Sequence, residues 1–305
     1  MRALAEFTMR GRAQAVMSVT VLAILSLIIA PLSLLSGAAV ALVTLRLGSR
    51  EGILLISLSL LACGTLSYLI FSDILPALVF ALVLWLPMWL LGMLLRVTRD
   101  LSLTVQAALV ISAILAAVMY LFIGEPAKFW QQILAESMQS LSGAQDMQLS
   151  EAELQSFIAE LSQWITAIVV AGYFLQLLAG LFIARWWQAL IYNPGGFGEE
   201  FRALGYQRPL AVLTIPFVLL VGFSQPAEWV QTLTLLLVSA YAVIGLAVMH
   251  AVLHNTASAK FWLGGIYVLL FIAMPYVLPA LAMTGFADAW VNLRRKKQSQ
   301  RTEDE

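Results

Sequence analysis

The chain has 305 residues, 61% hydrophobic and 11% charged, against about 45–50% and 25% in soluble domains, which excludes an ordinary water-soluble globular enzyme. The 17 Lys and Arg are matched by 17 Asp and Glu, leaving no excess positive charge for a nucleic-acid surface. One cysteine, Cys63, lies in an apolar run, so an internal disulfide and a thiolate zinc site are also excluded.

Charged residues fall between long uncharged stretches at 13–30, 31–45, 52–72, 74–95, 101–124, 164–184, 209–227, 229–249 and 261–287. A helix needs about 20 apolar residues to cross roughly 30 Å of hydrocarbon, and most of these stretches qualify. The amino-terminal segment 1–12 carries Arg2, Arg10 and Arg12 and is expected in the cytoplasm. The first stretch is longer than the roughly 7–15-residue core of a cleaved secretory signal, so it is expected to be retained. Pro31 divides the first apolar region and suits the opening turn of a helix, where its missing amide is harmless. A helical hairpin is predicted there. The region 13–124 then holds the first five spans.

The connection 125–163 carries Glu125, Glu136, Asp146, Glu151, Glu153 and Glu160 against one Lys128, and is assigned to the outer side. Its first predicted helix is amphipathic, with Phe129, Trp130, Ile133, Leu134, Met138 and Leu141 on one side. A turn at Ser142–Asp146 follows. The second helix opens with a capping-box spacing, Ser150 and Glu153, continues through Leu154, Phe157, Ile158 and Leu161, and is expected to run into the sixth span, 164–184. The pair reads either as a lid over an outward-facing cavity or as a structural cover.

Segment 185–208 is expected to be a cytoplasmic, glycine-containing loop with Trp186 and Trp187 at headgroup level and a short interfacial helix after its turn. Its glycines do not read as a phosphate cradle. No strand precedes them, no Gly-Lys-Ser/Thr follows, and Glu199 and Glu200 repel anions. The C-terminal spans occupy 209–287. Pro275 and Pro279 predict a broken helix or a re-entrant pair that returns the basic tail 288–305 to the cytoplasm. Placing Arg46, Arg50, Arg96, Arg99, Arg185, Arg202, Arg208 and Lys260 inside, and Asp73 and Glu228 outside, satisfies the positive-inside rule. The expectation is an all-α bundle of eight to ten spans in a bacterial inner membrane, with both termini cytoplasmic.

His250 and His254 share a helix face but lack further ligands, so no metal or cofactor is expected. No nucleophile elbow or defensible catalytic triad occurs, and an enzyme is not expected. The span interiors contain no Asp or Glu, which disfavours a proton relay. Aromatic and amide groups remain: Tyr68, Trp85, Trp89, Tyr120, Trp164, Tyr173, Gln176, Tyr241 and Tyr267. Each of these singly is more readily explained as a belt or packing residue. Trp85, Tyr120, Tyr173 and Gln176, with Glu125 near the mouth, are the candidate wall of an outward-facing pocket for a small neutral or aromatic solute. The alternative is a non-transporting scaffold or assembly factor that engages partners through segment 185–208 and the tail. Small residues, among them Ser36, Gly37, Ala38, Ala39, Ala41, Ala171, Gly172, Ala179, Gly180, Gly264 and Gly265, are candidate helix contacts.

From Ile29 to Leu54 an apolar helix, Pro31, a short second helix and the turn Leu45, Arg46, Leu47, Gly48, Ser49, Arg50, Glu51, Gly52 resemble the opening hairpin of S components of energy-coupling-factor transporters. The similarity extends over about the first six spans. It implies solute uptake and an ATPase-bearing partner, although Ala13, Ala15, Ala23 and Ala30 never show the Ala-x-x-x-Ala spacing such proteins use for docking. The whole chain, through Gly285, Asp288, Trp290 and Arg294, resembles the YybS-like family of bacterial polytopic membrane proteins.

Overall fold

The computed structural model describes residues 1–141, 151–224, 226–254, 256 and 258–291. Among them there is no strand. The helices are α1 (Arg2–Met9), α2 (Arg12–Ser26), α3 (Leu32–Leu47), α4 (Ser49–Phe71), α5 (Leu75–Thr98), α6 (Leu101–Ile123), α7 (Pro126–Leu141), α8 (Glu151–Tyr192), α9 (Gly196–Ala203), α10 (Arg208–Phe223), α11 (Glu228–Leu253), α12 (Ala259–Ile272) and α13 (Met274–Val291). Five of these, α4, α5, α6, α8 and α11, are long and apolar enough to cross a membrane. With α9 and α10, bent by 57°, counted as one broken span, there are six. The chain is a membrane protein.

The structure departs from the sequence reading in segment 185–208 and at Asp288, and adds detail elsewhere. The stretches expected to span at 13–30 and 31–45 form helices of only 15 and 16 residues, about 23 Å each at 1.5 Å per residue and short of a roughly 30 Å core. The predicted hairpin itself is present, with α3 beginning directly after Pro31. Segment 185–208 is not a loop from its start, because α8 runs through Arg185 to Tyr192. Trp187, expected at headgroup level, is completely buried. The last apolar region is broken at Ala273, and Pro275 falls in the first turn of α13, where no amide is required. The turn at 142–146, Ser150 and the residues 292–305 of the basic tail lie outside the described residues. Asp288, assigned to that tail, is a buried residue of α13.

The chain divides into two compact units, residues 1–108 with 175–204 and residues 109–174 with 205–305. At the centre of the first unit is α3, buried without interruption from Ser36 to Leu45 and packed on α2, α4 and α5. Its small residues allow this. A Cβ at Gly37 would stand 3.2 Å from Leu84 and Met88, and one at Gly92 on α5 would stand 3.2 Å from the Ala41 carbonyl oxygen. Trp85 Nε1 donates to Ser36 Oγ at 3.0 Å, and Ser36 Oγ donates to the Val19 carbonyl at 2.9 Å, so these groups satisfy one another. Trp85 closes a π-helical stretch, Phe80–Trp85, just before Pro87. Proline cannot donate to the carbonyl four residues back and its ring crowds that carbonyl, which gives the helix a reason to widen there.

In the second unit α13 lies backbone against backbone on α11. A Cβ on Gly245 would come within 1.9 Å of the Leu281 carbonyl oxygen, and one on Gly285 within 2.2 Å of the Tyr241 carbonyl oxygen. Only glycine permits that approach. These two glycines were not among the expected contact residues, whereas Gly264 and Gly265, which were, would meet nothing within 4 Å. The helix that carries them, α12, buries none of its residues. His250 Nδ1 donates to the Leu246 carbonyl at 2.9 Å, leaving Nε2 to accept from the Tyr267 hydroxyl at 3.2 Å. His254 does not join it in a metal-binding group, and no such group of three or more His, Cys, Asp or Glu occurs among the described residues.

Candidate functional site

Within the second unit, the ends of α6 and α10, the starts of α7 and α11 and a stretch of α8 surround a cavity of about 730 Å³. That is room for a small molecule. The chain leaves α6 through Gly124, whose positive φ of 75° suits glycine alone among common residues, and turns at once into α7. This sharp reversal brings Tyr120, Gly124, Glu125 and Pro126 to one wall. Gln163 and Trp164 of α8 supply a second wall, and Val221, Ser224, Glu228, Trp229 and Gln231 the remainder.

The polar groups are held individually. Tyr120 and Thr232 share a hydrogen bond of 2.8 Å between hydroxyls, tying α6 to α11. Glu228, in the first turn of α11, accepts from the Ala127 backbone amide of α7 at 3.2 Å. A carboxylate at the start of two helices suits both dipoles and satisfies an amide that the helix itself leaves open. Glu125 forms an ion pair with Lys128. Trp130 Nε1 donates to Thr166 Oγ1 at 3.0 Å, fastening α7 to α8. Phe129 and Ile133, on the apolar side expected for α7, remain 40% and 39% exposed, so only part of that side is covered.

Gln231 is different. Its Oε1 is buried and has no hydrogen-bond partner among the described residues, yet the residue lines the cavity. A buried acceptor left open is costly until a donor reaches it. With Trp164, Trp229 and Tyr120 around it, the cavity combines aromatic surface with an acceptor that lacks a donor.

Of the five residues proposed from sequence, Tyr120 and Glu125 meet at this cavity. Tyr173, half-buried on α8, is not part of its wall. Trp85 and Gln176 belong to the other unit, and both are bonded to serines at the start of α3, Gln176 Nε2 donating to Ser33 Oγ at 3.3 Å. Glu228, Trp229, Gln163 and Gln231 were not proposed. The one signal for them was Glu228 and Trp229 heading a long apolar stretch, an acidic and an aromatic residue together at a span end.

No protein-family model, curated protein or solved structure matches the chain.

Proposed function

We propose that the protein binds a small solute bearing at least one hydrogen-bond donor and an apolar or aromatic body, in the cavity beside Gln231, as a membrane-embedded binding or uptake component. The observation that carries this reading is that Gln231, whose buried Oε1 has no partner among the described residues, lines a space of about 730 Å³ with aromatic walls. The reading places the cavity outside the cell, because it adjoins the acidic connection 125–163, whereas cytoplasmic loops collect Lys and Arg. In this reading α2, α3, α10, α12 and α13 join the five long helices to give eight to ten crossings of a bacterial inner membrane. When α12 and α13 cross as a pair, or dip and return as one, both termini are cytoplasmic. The resemblance of the first spans to S components agrees with solute uptake.

Detergent-purified protein is expected to carry a small molecule in native mass spectrometry, and a panel of amides, amines and aromatic solutes should contain one that raises its melting temperature. Gln231→Leu and Trp164→Ala should each weaken that binder about tenfold. Absence of any retained molecule together with unchanged melting across the panel overturns the reading.

A further inference from the structure

A second cavity, about 420 Å³ in volume and confined to the first unit, is lined by Leu45, Leu95, Gln188 and five charged side chains: Arg46, Arg96, Arg99, Arg185 and Glu200. We propose that it binds an anion bearing a phosphate group.

Four guanidinium groups face this space and one carboxylate answers them. The carboxylate is already committed, since Arg185 Nε donates to Glu200 Oε2 at 2.8 Å and Arg185 Nη2 to Glu200 Oε1 at 2.5 Å. This pairing also removes the objection that Glu200 repels an anion. Arg96 Nη1 donates to the Leu45 carbonyl at 2.7 Å, and the Arg46 guanidinium lies over the Tyr192 ring at 4.0 Å. Neither contact neutralises charge. Arg99 donates its backbone amide to the Leu95 carbonyl at 2.9 Å, while its guanidinium takes part in none of the hydrogen bonds or ion pairs found among the described residues. It ends α5 with a φ of 55°, a left-handed conformation that favours glycine or asparagine and places a long cationic side chain at the rim instead.

Helix-end capping explains one cation at the end of α3 and one at the end of α5. With Arg185 paired to Glu200, it does not explain a third arginine, Arg99, on the same hollow as Arg46 and Arg96. Like charges that line one hollow repel until a counter-ion enters, and planar guanidinium forks match the paired oxygens of a phosphate. Such a phosphate has two sources, the headgroup of an anionic lipid or a soluble phosphorylated compound. Both offer the same oxygens to the same arginines.

The test uses the full-length protein in two arms. Delipidated protein in detergent is titrated with pyrophosphate by calorimetry, and protein in nanodiscs of mixed phosphatidylglycerol and phosphatidylcholine is released for native mass spectrometry. Saturable pyrophosphate binding assigns a soluble ligand; selective retention of phosphatidylglycerol without it assigns a headgroup. In either arm Arg99→Gln should weaken binding about tenfold, and Arg99→Lys should restore part of it. Because the Arg99 side chain makes none of the contacts named above, the variants should melt with the native protein. Failure of the native protein to bind either probe overturns the proposal, as does equal binding by a normally melting Arg99→Gln. Neither result bears on the solute cavity beside Gln231.

Discussion

Helices α3 and α12 have similar lengths, 16 and 14 residues, and each carries one cation near an end. The molecule uses them in opposite ways. In α3 ten consecutive residues from Ser36 to Leu45 are buried, whereas α12 buries none, and its Phe261, Phe271 and Ile272 are 77%, 92% and 76% exposed. Apolarity does not separate the two. Lipid tails are as apolar as leucine, so large aliphatic and aromatic side chains gain little by leaving lipid for the protein interior. Closeness of approach decides instead, and α3 can be approached because Ser36, Gly37, Ala38, Ala39 and Ala41 cluster in its middle.

The contrast can be broken most severely at the α11–α13 contact, which follows the logic of α3. Gly245→Ala drives a methyl into the Leu281 carbonyl and is expected to cost more than about 3 kcal/mol, the upper range for overpacking, with loss of the folded species on size exclusion in detergent. A native elution profile and melting temperature for this variant would sink the close-approach argument. A smaller effect is expected at the centre of the first unit. Trp85→Phe removes the donor to Ser36 but keeps most of the ring, and should lower stability by about 1 kcal/mol in thermal or denaturant unfolding. At the far end of the scale stands Gly264→Ala. The new methyl meets nothing within 4 Å, so the melting curve should be unchanged or slightly improved, by up to about 1 kcal/mol from higher helix propensity. A large loss there would mean that α12 is covered by a partner.

Local chemistry was legible where a single residue dictates it. Pro31 marked the hairpin, Pro275 marked the restart of the last apolar region, and the apolar period after Glu153 ran on into the sixth span as one helix. The reading lost accuracy where a distant residue changes what a local one means. Arg185 looked like the start of a solvated loop, but Glu200 pairs with it across fifteen positions and the helix continues. The candidate site follows the same pattern. Tyr120 and Glu125 were recognisable at the C-terminal end of α6, while their neighbours Glu228 and Gln231 arrive from more than a hundred residues away with no periodic signal to announce them. Residue size along the chain did not reveal which glycines touch a neighbour. Gly245 and Gly264 look alike in sequence, and only the first faces a carbonyl.

The 42 residues of α8 form one uninterrupted rod, which at 1.5 Å per residue measures about 63 Å, twice the thickness of the hydrocarbon it must cross. Wherever the bilayer is drawn, an amount of this rod comparable to a full crossing stands in water and headgroups. Its opening turns, with Glu151, Glu153, Gln155 and Glu160, are the portion suited to that surroundings. A helix of this length can keep its apolar turns in the hydrocarbon of a thinner or thicker bilayer while these polar turns extend past it.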